Sequence, residues 1–184
     1  MNRLLVLIVG LSLLAVGCAD SPAAPAQGAT TTSTFTVSLS SANEVPAITN
    51  ADAGSSGTAV IALTVTKDGS GTITSATMNL QISVTGLPAG TTVTKAHIHN
   101  GAAGVNAAVY VDAILASGEL AITNGSGSMT KNGINVPADK AAAILANPAG
   151  HYFNVHTALN PDGAIRGQLA GGGAVFSPGT PTPY

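Results

Sequence analysis

Four histidines stand in a chain of 184 residues, and all four fall in two short stretches. His97 and His99 lie in "KAHIHNG", and His151 and His156 lie in "HYFNVHT". Imidazole is the side chain best suited to transition-metal ligation and to proton transfer near neutral pH. In an extended strand, residues two apart point the same way and sit about 6.6 Å apart, so the rings of His97 and His99 can lean onto one ion. A third ligand must come from elsewhere. The parity of "HYFNVHT" puts Tyr152, Asn154 and His156 on one face and His151, Phe153 and Val155 on the other. His156 is therefore the first choice for the third ligand. His151, at the start of the strand, is the candidate fourth. An all-imidazole set favours copper, with zinc second, over calcium or magnesium, which take oxygen ligands. The competing reading is that these histidines hydrogen-bond and hold loops such as "NGAAGVN".

Arg166 is the sole arginine after residue 3. In a hairpin turning near Pro161 and Asp162 it is expected close to level with His156 and Thr157. There it can hold an anion beside a metal, pair with Glu44 or Asp162, or clamp carbonyls. Glu44, in "SANEVP", is one of few acids and is a candidate orienting group. Hydrolase signatures are missing: there is no Gly-x-Ser-x-Gly, no phosphate-cradling glycine loop before a helix and no close carboxylate pair. The chain thus reads more as a binding domain than as an enzyme. With 8% charged residues and a net charge of −2 it has no basic stripe for nucleic acid.

The elements that must carry these residues are strands. Phe35, Val37 and Leu39 alternate with Thr and Ser, as do Ala59, Ile61, Leu63 and Val65, and then Leu80, Ile82 and Val84. "AAVYVDAIL" and "GELAI" supply further strand material, and "HYFNVHT" with "AIRGQLA" forms a hairpin across "ALNPDG". "PADKAAAILANP", Pro137 to Pro148, is the single expected helix: it is Ala-rich and bounded by prolines. The expected fold is all-β, an antiparallel Greek-key sandwich or barrel of immunoglobulin-like or superoxide dismutase-like form with one short helix.

The first residues, "MNRLLVLIVGLSLLAVGC", combine an early arginine with an apolar run from Leu4 to Val16, too short to span a bilayer. "LAVGC" resembles the lipobox of bacterial lipoproteins, which implies cleavage before Cys18 and acylation of that residue, the only cysteine. The expected organisation is a signal peptide over 1–17, the acylated cysteine and a flexible tether over 18–34, one domain over 35–170 and a flexible tail over 171–184. The lipobox implies a lipid-anchored protein of the outer membrane, periplasm or cell surface, with the bilayer as its partner; an extracytoplasmic protein is the other expected partner, on the resemblance that follows.

"LSSANEVP", "GTAVIAL", "AHIHNGAAGVN" and "YFNVHTALNPDGAIRGQL", in that order, resemble the chordin (CHRD) domain family from about Phe35 to Leu169. The resemblance implies an extracytoplasmic β domain, found as repeats in an extracellular antagonist of bone morphogenetic proteins and singly in bacterial exported proteins, and thus also an interaction or adhesion role. The order His-x-His, later histidine, arginine also resembles the copper site of copper/zinc superoxide dismutases. That resemblance implies copper ligation by His97, His99 and His156, anion guidance by Arg166 and redox chemistry. The chain departs from that pattern: it lacks the long zinc-binding loop with its bridging histidine and the cysteine pair.

Overall fold

The structure, a computed structural model, describes residues 28–170 and 173–175. Its strands are β1 (Thr30–Ser40), β2 (Ser56–Lys67), β3 (Ile73–Thr85), β4 (Val93–His99), β5 (Val109–Asp112), β6 (Ser126–Asn135), β7 (Tyr152–Thr157), β8 (Ile165–Gln168) and β9 (Gly173–Val175), with one helix, α1 (Ala138–Ala146). They form a single curled half-barrel sheet. Its order is β5-β4-β7-β8-β1-β2-β3-β6, with β9 also paired to β1. Every pairing is antiparallel. The all-β expectation with one short helix therefore holds.

Alternation explains which face is covered. Phe35, Val37 and Leu39 of β1, Ala59, Ile61, Leu63 and Val65 of β2, and Leu80, Ile82 and Val84 of β3 are all buried in one cluster. Their Thr, Ser, Asn and Gln neighbours point outward, as a half-covered antiparallel sheet requires. Ala96 and Ile98 of β4, Phe153 and Val155 of β7 and Ile165 of β8 extend the same core, which Ala141 and Ile144 of α1 help to close. The face that looks away from this core differs between the two halves of the sheet. On β7 all six residues are buried, so its second face is covered as well, and that second face carries the histidines.

Several elements depart from the sequence expectation. β1 starts at Thr30, inside the stretch expected to be tether. Gly173–Val175, expected in the tail, pairs with Thr32 to Thr34. The cause is β-branching and cross-strand pairing: Thr32 Oγ1 and Thr64 Oγ1 lie 2.8 Å apart, and Thr30 and Thr66 meet similarly. "GELAI" is a loop, held by a bond from Lys131 Nζ to Glu119 and plugged by buried Leu120. The outer partner of β3 is β6, whose "SGSMTKNGIN" is mostly polar but buries Ile134 in the core and packs Met129 against it. The helix falls where expected, directly after Pro137, and Pro148 opens a 3-10 turn beyond it. The expected signal peptide, 1–17, and Cys18 lie outside the described residues.

Candidate metal centre

β4 and β7 are hydrogen-bonded neighbours, with His97 opposite Asn154, His99 opposite Tyr152 and Lys95 opposite His156. Facing residues share a side of the sheet, so the rings of His97, His99 and His156 project together, away from the apolar core. A register shift between Ile98 and His99, where β4 meets β5, brings Asp112 opposite His97 and Val109 opposite His99. Bulges of this kind recur next to functional sites, where they re-aim a side chain. Three loops cover the histidine-bearing face: residues 43–46, 100–107 and 158–164 reach it through bonds to Arg166, His99 and His156.

The three imidazoles offer nitrogens that all lie within 4.8 Å of one another. Ring centroids are 5.7 Å apart for His97 and His99, 4.8 Å for His97 and His156, and 6.0 Å for His99 and His156. Backbone carbonyls fix two of the tautomers, because a carbonyl only accepts. His99 Nδ1–H donates to Ala107 O at 2.9 Å, and His156 Nδ1–H donates to Pro161 O at 2.9 Å. Both Nε2 atoms are therefore unprotonated and face inward. His99 Nε2 is buried without a hydrogen-bond partner. His156 Nε2 accepts from His97 Nδ1 at 3.0 Å. On the far side of its ring, His97 Nε2 lies 3.8 Å from Asp112 Oδ1.

This arrangement fits a metal. Four-coordinate bonds of about 2.0 to 2.1 Å put neighbouring ligand atoms about 3.3 Å apart, so small ring movements suffice. An ion would take His97 Nδ1, His99 Nε2 and His156 Nε2, and the proton on His97 would pass to Nε2, facing the Asp112 carboxylate. The outer nitrogens of His99 and His156 keep their carbonyl acceptors, the outer-shell pattern of metal-bound histidine, and that of His97 has the Asp112 carboxylate 3.8 Å away. Burial holds all three rings below the usual histidine pKa, His156 down to about 4, with His97, His99 and Lys95 adding repulsion there. At neutral pH the rings are neutral and can ligate without first losing an excess proton.

His151 is not brought into this group. It shares its parity with Phe153 and Val155, its Nδ1–H donates to Asn147 O at 2.9 Å, and its ring lies beside Tyr110. Arg166 is opposite Asn154, two residues from the level expected for it. Its guanidinium donates to Asn43 O at 2.6 Å and to Asn106 Oδ1 at 2.9 Å. Glu44, not Asp162, is its acid, with Oε2 3.8 Å from Nε. Burial pushes the Glu44 carboxyl up to about 7 although Arg166 pulls it down. Gly163, at φ +139°, leaves the room that Glu44 Oε2 and the Asn154 amide occupy.

The ring of Tyr152 stacks on His99, with centroids 4.6 Å apart, and carries Arg166 on its other face at 4.7 Å. Arg166 Nε and Nη1 are bonded to Asn43 O, Val105 O and Asn106 Oδ1, whereas its Nη2 is buried without a hydrogen-bond partner. The loop bonds of Nε and Nη1 give Arg166 a positioning role beside the anion-guiding one that the dismutase resemblance implies. Strand parity had placed Tyr152 on the right face. Asp112 and Asn106 gave no sequence signal, because their roles depend on the β4–β5 pairing and on a loop fold.

The CHRD domain family matches residues 35–169, which include the whole histidine cluster, Glu44 and Arg166. The chain belongs to the CHRD domain family. Searches among curated proteins and among solved structures each gave no match.

Proposed function

We propose that this CHRD domain is an exported, lipid-anchored protein that binds one copper ion through His97, His99 and His156, for storage, delivery or protection. The observation that carries it is the convergence of two deprotonated Nε2 atoms, one with no other partner, on the Nδ1 of His97. Three neutral nitrogen donors without thiolate or carboxylate suit copper first, since copper(II) stands highest among the divalent first-row ions, and zinc second. Acylated Cys18 would hold the domain by its amino terminus. Thr30, where β1 begins, is twelve residues further on. The domain would then start within about 40 Å of the lipid even with the intervening chain fully extended.

The test is titration of copper(II) into purified protein carrying Cys18→Ser, so that the thiol does not compete. One copper per chain is expected, with zinc binding more weakly, and no binding at that site in a His97→Ala, His99→Ala double variant. A double variant that takes up copper as well as its parent removes the proposal. The anchor is checked separately by fractionation: the native protein partitions with membranes, and Cys18→Ser moves to the soluble fraction.

A second reading has a specific observation behind it. His99 and His156 each hold a loop carbonyl, Ala107 O and Pro161 O, so they can serve as loop braces in a protein-interaction module. Under that reading copper leaves the thermal stability unchanged, and replacing His156 impairs folding alone.

A further inference from the structure

His97, His99 and His156 are exposed by 6%, 5% and 4%, so an ion reaches their nitrogens only when a covering segment moves. The two covering loops that touch the rings are tied down differently. The segment after β7 is held by backbone bonds, Thr157 N–H to Asn160 O, Gly163 N–H to Asn160 O and Ala164 N–H to Val155 O. Buried Asp52 adds a further tie, accepting from Thr157 Oγ1 and Asn160 Nδ2. The segment between β4 and β5 has one internal backbone bond among the described residues, Val105 N–H to Ala102 O.

Side chains supply its remaining ties. Gln168 Nε2 donates to Gly101 O at 3.0 Å, Arg166 Nη1 to Asn106 Oδ1 and Val105 O, and Asn106 Nδ2 to Val45 O. At the end of the segment, Ala107 N–H donates to the Tyr152 hydroxyl and Ala107 O accepts from His99. Ala102 to Asn106 are exposed. An exposed stretch with one internal backbone bond, held otherwise by a few side-chain ties, has the marks of a segment that opens locally.

We propose that residues 100–107 form a flap over the metal centre, through which the ion enters and leaves, and that Asn106 is its latch. This rests on the copper reading of the three histidines. Lifting the flap withdraws Ala107 O from His99 Nδ1 and leaves that ring held by stacking on Tyr152 alone, free to turn its Nε2 outward. Asn106 acts through Ala107 and is a positioning residue. Its amide joins the flap to Arg166 through a part-buried bond and to the Val45 carbonyl through an exposed one, and bonds of this kind contribute modestly, so losing both favours the open form about tenfold.

The experiment measures transfer of copper from the loaded protein to excess EDTA, in the Cys18→Ser background. Asn106→Ala should speed both release and uptake about tenfold, leaving the equilibrium affinity within about threefold of the parent, because latch and ligands are separate. Asn50→Ala, which loosens the other loop through its bonds to Asn160, should leave the transfer rate unchanged. Equal rates in parent and Asn106→Ala, or equal acceleration by Asn50→Ala, overturn the flap. Amide hydrogen exchange of the metal-free parent tests it without copper: Val105 and Ala107 should exchange well before Gly163 and Ala164. Equal protection overturns the flap, whereas a parent that takes up no copper overturns the reading of the site.

Discussion

Copper(II) at a hundredfold excess over its dissociation constant raises the unfolding free energy of the domain by about 2.7 kcal/mol, because the ion binds the folded chain and not the unfolded one. For a domain of this size that corresponds to a rise in melting temperature of about 8 °C, read by differential scanning calorimetry. The increment also has a defined pH dependence. His156 has its folded pKa depressed from 6.5 to about 4, and His97 and His99 are depressed in the same direction. A histidine shifted this way contributes stability that is present above pH 6.5 and lost as the pH falls towards the folded value. Glu44 runs oppositely, raised from 4.5 to about 7, and its contribution is lost as the pH rises through that window. Because the folded His156 ring stays neutral down to about pH 4 and His97 and His99 shift in the same direction, the copper increment should persist below pH 6.5 and be lost by about pH 4, where His156 takes up its proton. Loss of the increment with a midpoint near 6.5 would mean that copper is held by exposed, unperturbed imidazoles instead.

Asp52→Ala lowers the stability of the metal-free protein by about 3 kcal/mol in urea denaturation, since two buried groups are left without an acceptor. Asp52 is fully buried. Its Oδ2 accepts from the Thr157 hydroxyl at 2.6 Å and from Asn160 Nδ2 at 2.5 Å, and its own N–H donates to Asn50 Oδ1 at 3.1 Å. This knot joins the loop between β1 and β2 to the segment after β7, and that segment carries the Pro161 carbonyl that fixes the His156 tautomer. Asp52→Asn keeps the shape and one acceptor oxygen, so its cost should be about 1 kcal/mol. A loss below about 1 kcal/mol for the alanine variant would mean that water replaces the carboxylate without penalty.

Where two faces differ in polarity, the sequence was readable. Phe35, Val37 and Leu39, and the matching sets on β2 and β3, name their own buried side by alternation. The same parity argument put His97 with His99, and Tyr152, Asn154 and His156 with one another. Where both faces are alike it failed. β6 sends only Met129 and Ile134 towards the core, across a register shift that breaks their parity, and "GELAI" looks like a strand because a single leucine fills the core from a loop. The extent of β1 was hidden because a run of threonine reads as low complexity until its partner strand is known.

The histidine cluster was therefore legible and its supports were not. Asp112, Asn106 and the carbonyls of Ala107 and Pro161 reach the rings through the β4–β5 register and through loop conformation, neither of which leaves a pattern in one chain. His151 shows the opposite error. Proximity in sequence to a ligand strand suggested a fourth imidazole, but odd parity turns it to the core side, beside Tyr110.

Anomalous diffraction at the copper edge, from crystals of the Cys18→Ser protein loaded with one equivalent of copper(II), tests the metal centre most directly. One peak is expected, bonded at about 2.0 Å by His97 Nδ1, His99 Nε2 and His156 Nε2. A copper peak at His151 or at exposed carboxylates, with no density among these three rings, would contradict it.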